Sequence, residues 1–156
     1  MRRFCCSIVA RILAVPVTPW AWYHERRILR AGRELAAVEL ADARQLGVCS
    51  PERVRVLAVD RVPNPLGPLF RLLSRSTGIA CFDPSGLTLR YGIFAVPPMD
   101  RDRRLLTHEF VHIVQYQQAG SLWAFLWRYI YQCLADGYVG AEWEREARAG
   151  SSRMGN

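Results

Sequence analysis

The chain has 156 residues, of which 51% are hydrophobic and 22% are charged. These values exclude a disordered chain and are typical of a globular protein that is long enough to bury a core. The net charge is +7, and every basic residue is an arginine. Because the arginines are spread along the whole chain, and no helix-turn-helix, zinc-finger or RNA-binding motif accompanies them, we expect no nucleic-acid partner.

The five cysteines are odd in number, are irregularly spaced and form no Cys-x-x-Cys pair. This pattern argues against a disulfide framework and is typical of a reducing compartment. We therefore expect a cytoplasmic protein, with a peripheral position on the membrane as the alternative.

That alternative comes from residues 1–15, which combine two arginines with an apolar run that Arg11 interrupts. The run resembles the start of a signal peptide, but no small-residue cleavage site follows, and it is too short to span a membrane. We predict an amphipathic helix that packs on the domain or makes a peripheral membrane contact. Pro16 and Pro19 are expected to break it.

Residues 20–46 show the apolar period of a second helix. Gly32 is a weak point in it, since glycine disfavours helix interiors, and Gly47 is a suitable C-cap. His24 lies beside Glu25, far in sequence from the other histidines, and is expected to be a surface residue.

Residues 53–98 are predicted to form strands, because short valine-rich or alternating segments are separated by proline- and glycine-rich turns. The predicted elements are a strand over 53–59, a loop over 61–68, a short helix over 66–74, and strands over 79–82, 87–90 and 92–96. Asp83 to Gly86 reads Asp-Pro-Ser-Gly, which is a turn sequence. A hairpin or short meander should therefore precede the next helix.

Residues 100–149 are predicted to be helical. The first helix is a buried one over 105–118, with Asp100 or Asp102 as its N-cap and Gly120 at its end. The second is an aromatic helix over 121–135 with Ser121 as N-cap. The last is over 141–149, after a break at Asp136-Gly137-Tyr138. The polar tail over 150–156 is expected to be frayed. With a helical part over 1–46 and a β-rich part over 53–98, the chain should form a single α+β domain over 1–156.

The first of these helices contains the motif HEFVH, and it holds two of the three histidines of the chain, His108 and His112. Residues four apart lie on one helix face, so both imidazoles point the same way and suit a catalytic zinc ion. Glu109 lies about 100° round the helix, where a general base for a zinc-bound water belongs. The competing interpretation is a core helix with two hydrogen-bonded histidines. It is disfavoured because burying two His side chains and a Glu without a metal or other partners costs free energy.

A catalytic zinc ion takes three protein ligands and keeps one open position. A carboxylate of the last helix is the natural third ligand, and the candidates are Glu142, Glu144 and Glu146. Helical periodicity leaves the choice open, because Glu144 and Glu146 flank the apolar face that Trp143 and Ala147 mark.

The motif HEFVH followed by Glu144-Arg145-Glu146-Ala147 resembles the gluzincin class of zinc metallopeptidases, whose third ligand often lies in a Glu-x-x-Ala/Ser-Asp segment. The resemblance implies Zn²⁺ as the cofactor, Glu144 as its third ligand and a peptide or protein as the substrate. Arg148 departs from the pattern, because it stands where the class often has an aspartate that orients a ligating histidine.

Residues 79–149 also resemble small bacterial HExxH proteins in which a β-hairpin precedes the metal helix. The two resemblances imply a compact zincin-like domain. By analogy with zincins, the strand over 92–96 would be an edge strand that pairs with extended substrate. Tyr138, Tyr116 or an arginine would stabilise the oxyanion, and the sequence leaves these alternatives open.

Two other functions compete with a zinc-dependent peptidase. The first is a zinc-binding fold that has lost proteolysis and serves as a scaffold or interaction module, which Arg148 and the small size of the chain favour. The second is a basic protein without a metal that binds an anionic membrane surface or nucleic acid, which the net charge favours.

Overall fold

The computed structural model describes residues 2–65 and 84–154, and within them it has an α+β fold, which confirms the predicted class. These residues form five α-helices, a four-stranded sheet and two short 3₁₀ helices, Pro51–Arg53 and Met99–Arg101. The helices and strands are α1 (Arg2–Ala31), β1 (Arg33–Glu34), α2 (Ala37–Gln45), β2 (Arg55–Ala58), β3 (Gly86–Leu89), β4 (Gly92–Ala95), α3 (Arg103–Ala119), α4 (Leu122–Gly140) and α5 (Glu142–Met154).

Helix α1 runs without interruption through Pro16 and Pro19, so the predicted break at these prolines is wrong. A proline in a helix removes one backbone hydrogen bond, and this cost is least where water can solvate the freed carbonyl group. Both prolines are on the exposed side of α1. On its other side, Ala10 and Ala14 are fully buried, and α1 packs closely against α4. This packing holds the two halves as one helix.

Gly32 ends α1, so the predicted single helix over 20–46 is wrong. A Cβ atom at this position would lie 2.7 Å from the carbonyl oxygen of Ile28 and 3.0 Å from the Cβ of Arg55. Only glycine allows the chain to leave the helix this close to β2. The next residues form β1 and then α2, and α2 ends before Gly47, whose φ of 95° is suited to glycine, as predicted for a C-cap.

The sheet has the strand order β1-β2-β4-β3, with β2 and β4 parallel and the other pairs antiparallel. The predicted hairpin before the metal helix is confirmed as β3 and β4. The prediction that residues 92–96 form an edge strand is wrong, because β4 pairs on both sides and all four of its residues are buried. Within the described ranges, β3 is the strand at that edge, and it packs against α3. The predicted helix over 66–74 and strand over 79–82 lie outside the described residues.

The caps of the C-terminal helices follow the sequence signals. Asp102 Oδ1 accepts a hydrogen bond from the Leu105 backbone N–H (2.7 Å), and Gly120 ends α3 in the left-handed region. Ser121 Oγ accepts from the Ala124 N–H (3.1 Å) at the start of α4. Gly137, with φ 75° and ψ 163°, interrupts the helical backbone near the end of α4, where the break was predicted.

Helix α5 continues to Met154, so the prediction of a frayed tail is wrong for residues 150–154. Ser151 and Met154 are buried in this last turn. A Cβ atom at Gly150 would lie 2.6 Å from Val111 Cγ2, so the lack of a side chain at Gly150 lets α5 pack closely on α3. The short polar sequence of residues 150–156 does not indicate this packing of α5 on α3.

Two clusters of apolar side chains cover the two faces of the sheet. In β4, Phe94 joins the cluster with α1 and α4, while Ile93 and Ala95 join the cluster with α2 and α3, as the alternation along a strand requires. The second cluster fixes the inner face of α3 through Leu106, Phe110 and Ile113. Helix α3 is therefore held against the sheet while α5 packs on its other side.

Candidate metal centre

Helix α3 brings the two histidines of the motif together. The Nε2 atoms of His108 and His112 lie 3.2 Å apart, and the rings meet edge to face. His112 is buried, and His108 is partly exposed with 16% of its side-chain surface accessible. The four-residue spacing thus places both ring nitrogens at one point on the helix surface, as predicted.

Glu144 of α5 completes the cluster. Its Oε1 lies 3.2 Å from His112 Nε2, and its Oε2 lies 3.5 Å from His108 Nε2. The ligand atoms of the three residues all lie within 4.8 Å of one another, and this is the one such group found among the described residues. Of the three glutamates considered from the sequence, Glu142 is exposed and Glu146 accepts from Gln115 instead. The geometry therefore selects Glu144.

The carboxylate of Glu144 is charged although it is almost completely buried. Burial alone would raise its pKa, but the nearby imidazoles of His108 and His112 and the hydrogen bond from Tyr129 hold the pKa well below the usual range. For His112, burial lowers the pKa, and the carboxylates of Glu144 and Glu109 outweigh this and raise it. The cluster thus presents a negative oxygen pair to two imidazole nitrogens.

Gln115 fixes the tautomer of His112. Its Nε2 donates to the carbonyl oxygen of Trp143 (3.0 Å) and to Glu146 Oε2 (2.9 Å), so its Oε1 is the acceptor end. That oxygen lies 2.8 Å from His112 Nδ1, which must carry the proton. In neutral His112 the lone pair is then on Nε2 and points toward Glu144. Gln115 thus fixes the orientation of the His112 ring.

Two further side chains contact Glu144. Tyr129 of α4 donates a hydrogen bond to Oε1 (2.8 Å), and burial raises the pKa of this phenol well above its ordinary value, so it stays protonated. Arg148 Nη1 lies 3.6 Å from Oε2, and its Nη2 donates to the carbonyl oxygen of Val139. Arg148 is thus a cation beside the carboxylate, and within the described residues it forms no hydrogen bond with either histidine.

Glu109 is buried beside β3, the strand at the sheet edge. Its Oε2 accepts a hydrogen bond from Thr88 Oγ1 (2.7 Å). A Cβ atom at Gly86 would lie 2.6 Å from Glu109 Oε1, so β3 approaches the carboxylate closely. The side chain predicted to be the general base is therefore fixed at one oxygen by Thr88, while the other faces the backbone of β3.

The residues fit a metal ion. Two imidazole nitrogens and a carboxylate are donors that divalent transition metals accept. Ligand atoms about 2.0–2.1 Å from a tetrahedral ion lie about 3.3 Å from one another. Here the two Nε2 atoms are 3.2 Å apart, each carboxylate oxygen of Glu144 is near a different histidine, and one ligand atom from each residue lies within 4.8 Å of the others. Moreover, Glu144 Oε2 is buried without a hydrogen-bond partner in the described structure. A bound cation would satisfy this oxygen.

The remaining candidates lie elsewhere or have other partners. His24 does not join the cluster, and it is half-buried against Trp20 and Phe94, so the prediction of a surface histidine is wrong. The hydroxyl of Tyr116 donates to the Thr88 carbonyl oxygen (3.3 Å), which gives this residue a structural role. Burial and the charge of Glu144 raise the pKa of Tyr138, which places a neutral phenol near the cluster.

Comparison with protein-family models, with curated proteins and with solved structures gave no significant match. Sequence reasoning missed Gln115, Tyr129 and Thr88. Gln115 lies three residues after His112 on the same helix face, so the helical period could have revealed it. No sequence signal brings Tyr129 or Thr88 to the site.

Proposed function

We propose that the chain is a zinc-dependent metallopeptidase whose zinc ion is held by His108, His112 and Glu144. The observation that carries the proposal is the convergence of these three side chains, with ligand atoms within 4.8 Å of one another, beside the buried Glu109. Two histidines and one glutamate form a known catalytic zinc set that leaves one position open. The geometry fits other divalent metals too, and the choice of zinc rests on this ligand chemistry.

When bound, zinc would supply a Lewis acid for the scissile carbonyl group and lower the pKa of a water molecule. Glu109 would accept the proton of that water and return it to the leaving amine. Thr88 donates a hydrogen bond to Glu109 Oε2 and so fixes the position of the carboxylate for this transfer. Gln115 and Tyr129 would keep His112 and Glu144 in position.

An extended peptide would bind along β3, which replaces the strand over 92–96 in this role. The support for this is the place of β3 at the described edge of the sheet and the close approach of Gly86 to Glu109. Strand addition of this kind uses main-chain hydrogen bonds and selects weakly by side chain. The expected substrate is therefore an unfolded or extended segment.

One observation favours a second candidate, a zinc-binding scaffold without peptidase activity. Arg148 Nη1 lies 3.6 Å from Glu144 Oε2 and competes with the metal for its negative charge. This would weaken zinc binding and reduce the electrophilic character of the bound ion.

The Glu109→Gln variant tests the proposal. We expect zinc-loaded wild-type protein to cleave members of a peptide library, with the products detected by mass spectrometry. The cleavage rate of Glu109→Gln should be at least about 100-fold lower, since general base catalysis contributes roughly 10²–10⁴-fold. Elemental analysis should find the same zinc content in both. Glu142→Gln, a change at an exposed glutamate of α5, is the matched control and should keep full activity.

Two results would contradict parts of this account. Cleavage by Glu109→Gln at the wild-type rate would remove Glu109 from the reaction. Stoichiometric zinc in wild-type protein that cleaves no peptide would favour the scaffold instead.

A further inference from the structure

Helix α1 is apolar on two opposite faces, and residues 2–65 and 84–154 cover only one of them. The covered face carries small residues, among them Ala10, Ala14 and Ala21, which are fully buried. The opposite face exposes large apolar side chains that are 47–71% accessible: Phe4, Ile8, Ile12, Val15, Trp22 and Tyr23. At about 100° per residue, these six side chains fall within an arc of roughly 100° around the helix axis. They form an apolar stripe that runs about 28 Å along the axis, from residue 4 to residue 23.

A helix that is apolar all round has an apolar partner on every side. No second partner covers α1 in the part of the chain that the structure describes, and a continuous exposed stripe of this size marks a binding site. By length and composition, the helix over residues 3–31 would suffice to cross a membrane, and an 18-residue window within it has a mean hydropathy of 1.6. Nevertheless, the buried face packs on α4 and the sheet, which leaves one side of the helix for a membrane.

We propose that the exposed face of α1 binds the surface of a lipid bilayer that contains anionic headgroups. Trp22 and Tyr23 stand at one end of the stripe, and such aromatic side chains favour the level of the headgroups. Ile8, Ile12 and Val15 would enter the boundary of the acyl chains, as in other helices that lie in the membrane interface.

The charges of α1 match such a surface. Every exposed charged residue of this helix is an arginine, and its one acidic residue, Glu25, is buried. Arg26 stacks on Trp22 (3.9 Å from the ring centre) and lies next to Arg27, with Arg30 one turn further on. Within residues 2–65 and 84–154 these three form no ion pair, so their guanidinium groups are available to lipid phosphates, unlike Arg3, which pairs with Asp136.

The same charges disfavour a second copy of the chain as the partner. Two copies joined through this face would place arginines against arginines without acidic partners, and like charges across an interface are destabilising. A bilayer with anionic lipids takes up both the apolar stripe and the arginines at its end.

Vesicle flotation with the full chain tests this proposal, and it requires neither bound metal nor peptide cleavage. We expect the protein to float with vesicles of phosphatidylcholine that contain about one third phosphatidylglycerol and to bind pure phosphatidylcholine vesicles much more weakly. Replacing Arg26, Arg27 and Arg30 by glutamine should reduce the partition coefficient on the order of 100-fold, because each charge near the surface contributes about fivefold. The control replaces Arg44, Arg145 and Arg153, three exposed arginines on other helices, and should bind as wild type.

A second pair of variants tests the apolar stripe. Ile12→Glu combined with Val15→Glu should abolish flotation, whereas Val38→Glu, at an equally exposed position on α2, should not change it. Circular dichroism should give the same helix content for all variants, because each changed side chain is exposed.

Three results would overturn the proposal. The wild-type protein could fail to float with either type of vesicle, or the Ile12→Glu, Val15→Glu variant could float like wild type. Finally, a dimer of the wild-type protein that this variant converts to a monomer would show that a second copy covers the face.

Discussion

The imidazole of His112 is fixed by a residue outside the HExxH motif. Gln115 accepts a hydrogen bond from Nδ1 (2.8 Å), and its amide group is itself held by α5. Partners of this kind set the orientation and basicity of a ligating histidine, and their loss typically reduces metal affinity 10- to 100-fold. The effect of Gln115 on zinc binding is therefore a direct test of the proposed ligand geometry.

We expect Gln115→Leu to bind zinc about 10- to 100-fold more weakly than wild type. The leucine keeps the approximate shape of the side chain but leaves Nδ1 of His112 without its acceptor. Competition with a chromophoric zinc chelator measures the change, and Gln118→Leu, at an exposed glutamine of the same helix, is the control. Equal affinities for the two variants would mean that His112 does not ligate through Nε2.

Arg148 has the opposite effect on the cluster. Its guanidinium group lies 3.6 Å from Glu144 Oε2 and is 40% exposed. A cation at this distance repels a bound metal ion, and exposure to solvent screens the repulsion. We expect Arg148→Gln to bind zinc about two- to tenfold more tightly than wild type in the same competition assay. Arg145→Gln, one turn away and exposed, should have no effect, and weaker binding by Arg148→Gln would contradict the repulsion.

The sequence predicted some of these residues and missed others for physical reasons. Both histidines and Glu109 follow from helical spacing, which is a local property. Helical periodicity alone leaves three glutamates as candidates for the third ligand, because the position of that ligand depends on how α5 packs on α3. Only the resemblance to the gluzincin pattern favours Glu144. Tyr129 and Thr88 come from other elements, and their contacts are a result of tertiary packing that no local pattern encodes.

At the scale of elements, the side chain of Arg33 in β1 connects the first turn of α2 to the 3₁₀ helix that precedes α3. Arg33 donates two hydrogen bonds to Glu39 (2.7 and 2.8 Å) and one to the backbone carbonyl oxygen of Asp100 (2.6 Å). Glu39 also accepts from the Ala36 N–H at the start of α2 (2.7 Å). Burial raises the pKa of Glu39, but the bonds from Arg33 and Ala36 outweigh this and lower it below its ordinary 4.5.

We expect Glu39→Gln to lower the free energy of unfolding at pH 7 by about 1–2 kcal/mol. A carboxylate whose pKa is lowered by folding stabilises the protein above its unfolded pKa, and this contribution is lost as the pH falls through the folded pKa. The difference between wild type and Glu39→Gln should therefore shrink as the pH falls below 4.5. Urea unfolding at several pH values measures it.

The control for this prediction is Glu34→Gln, because the Glu34 side chain is 79% exposed and its pair with Arg55 is a surface pair. We expect a change of less than about 1 kcal/mol. A constant difference between Glu39→Gln and wild type at every pH would show that the charge of Glu39 is not what stabilises this contact.

The elements that the sequence predicted well are those with strong local signals. The N-caps Asp102 and Ser121, the C-cap Gly120 and the hairpin strands all follow from turn and capping chemistry. The errors occur where packing overrides a local preference. Helix α1 tolerates two prolines because its other face packs on α4, and residues 150–154 are helical because α5 continues along α3.

At the scale of the whole molecule, the proposed zinc site joins α3 to α5, with α4 reversing the chain between them. Helix α3 is fixed by the sheet on one side, so the position of α5 decides whether Glu144 reaches the histidines. The Tyr129 contact means that α4 also supports this arrangement. A metal ion at this point would bind the folded chain only and would therefore stabilise the fold.

Zinc content by elemental analysis of the purified full chain, after incubation with zinc and removal of the excess, tests the central claim most directly. We expect about one zinc ion per chain in wild type and in Glu142→Ala, and none in His108→Ala or Glu144→Ala. Circular dichroism should show that all four proteins are folded. Folded wild-type protein without zinc, or folded Glu144→Ala with a full equivalent, would contradict the account.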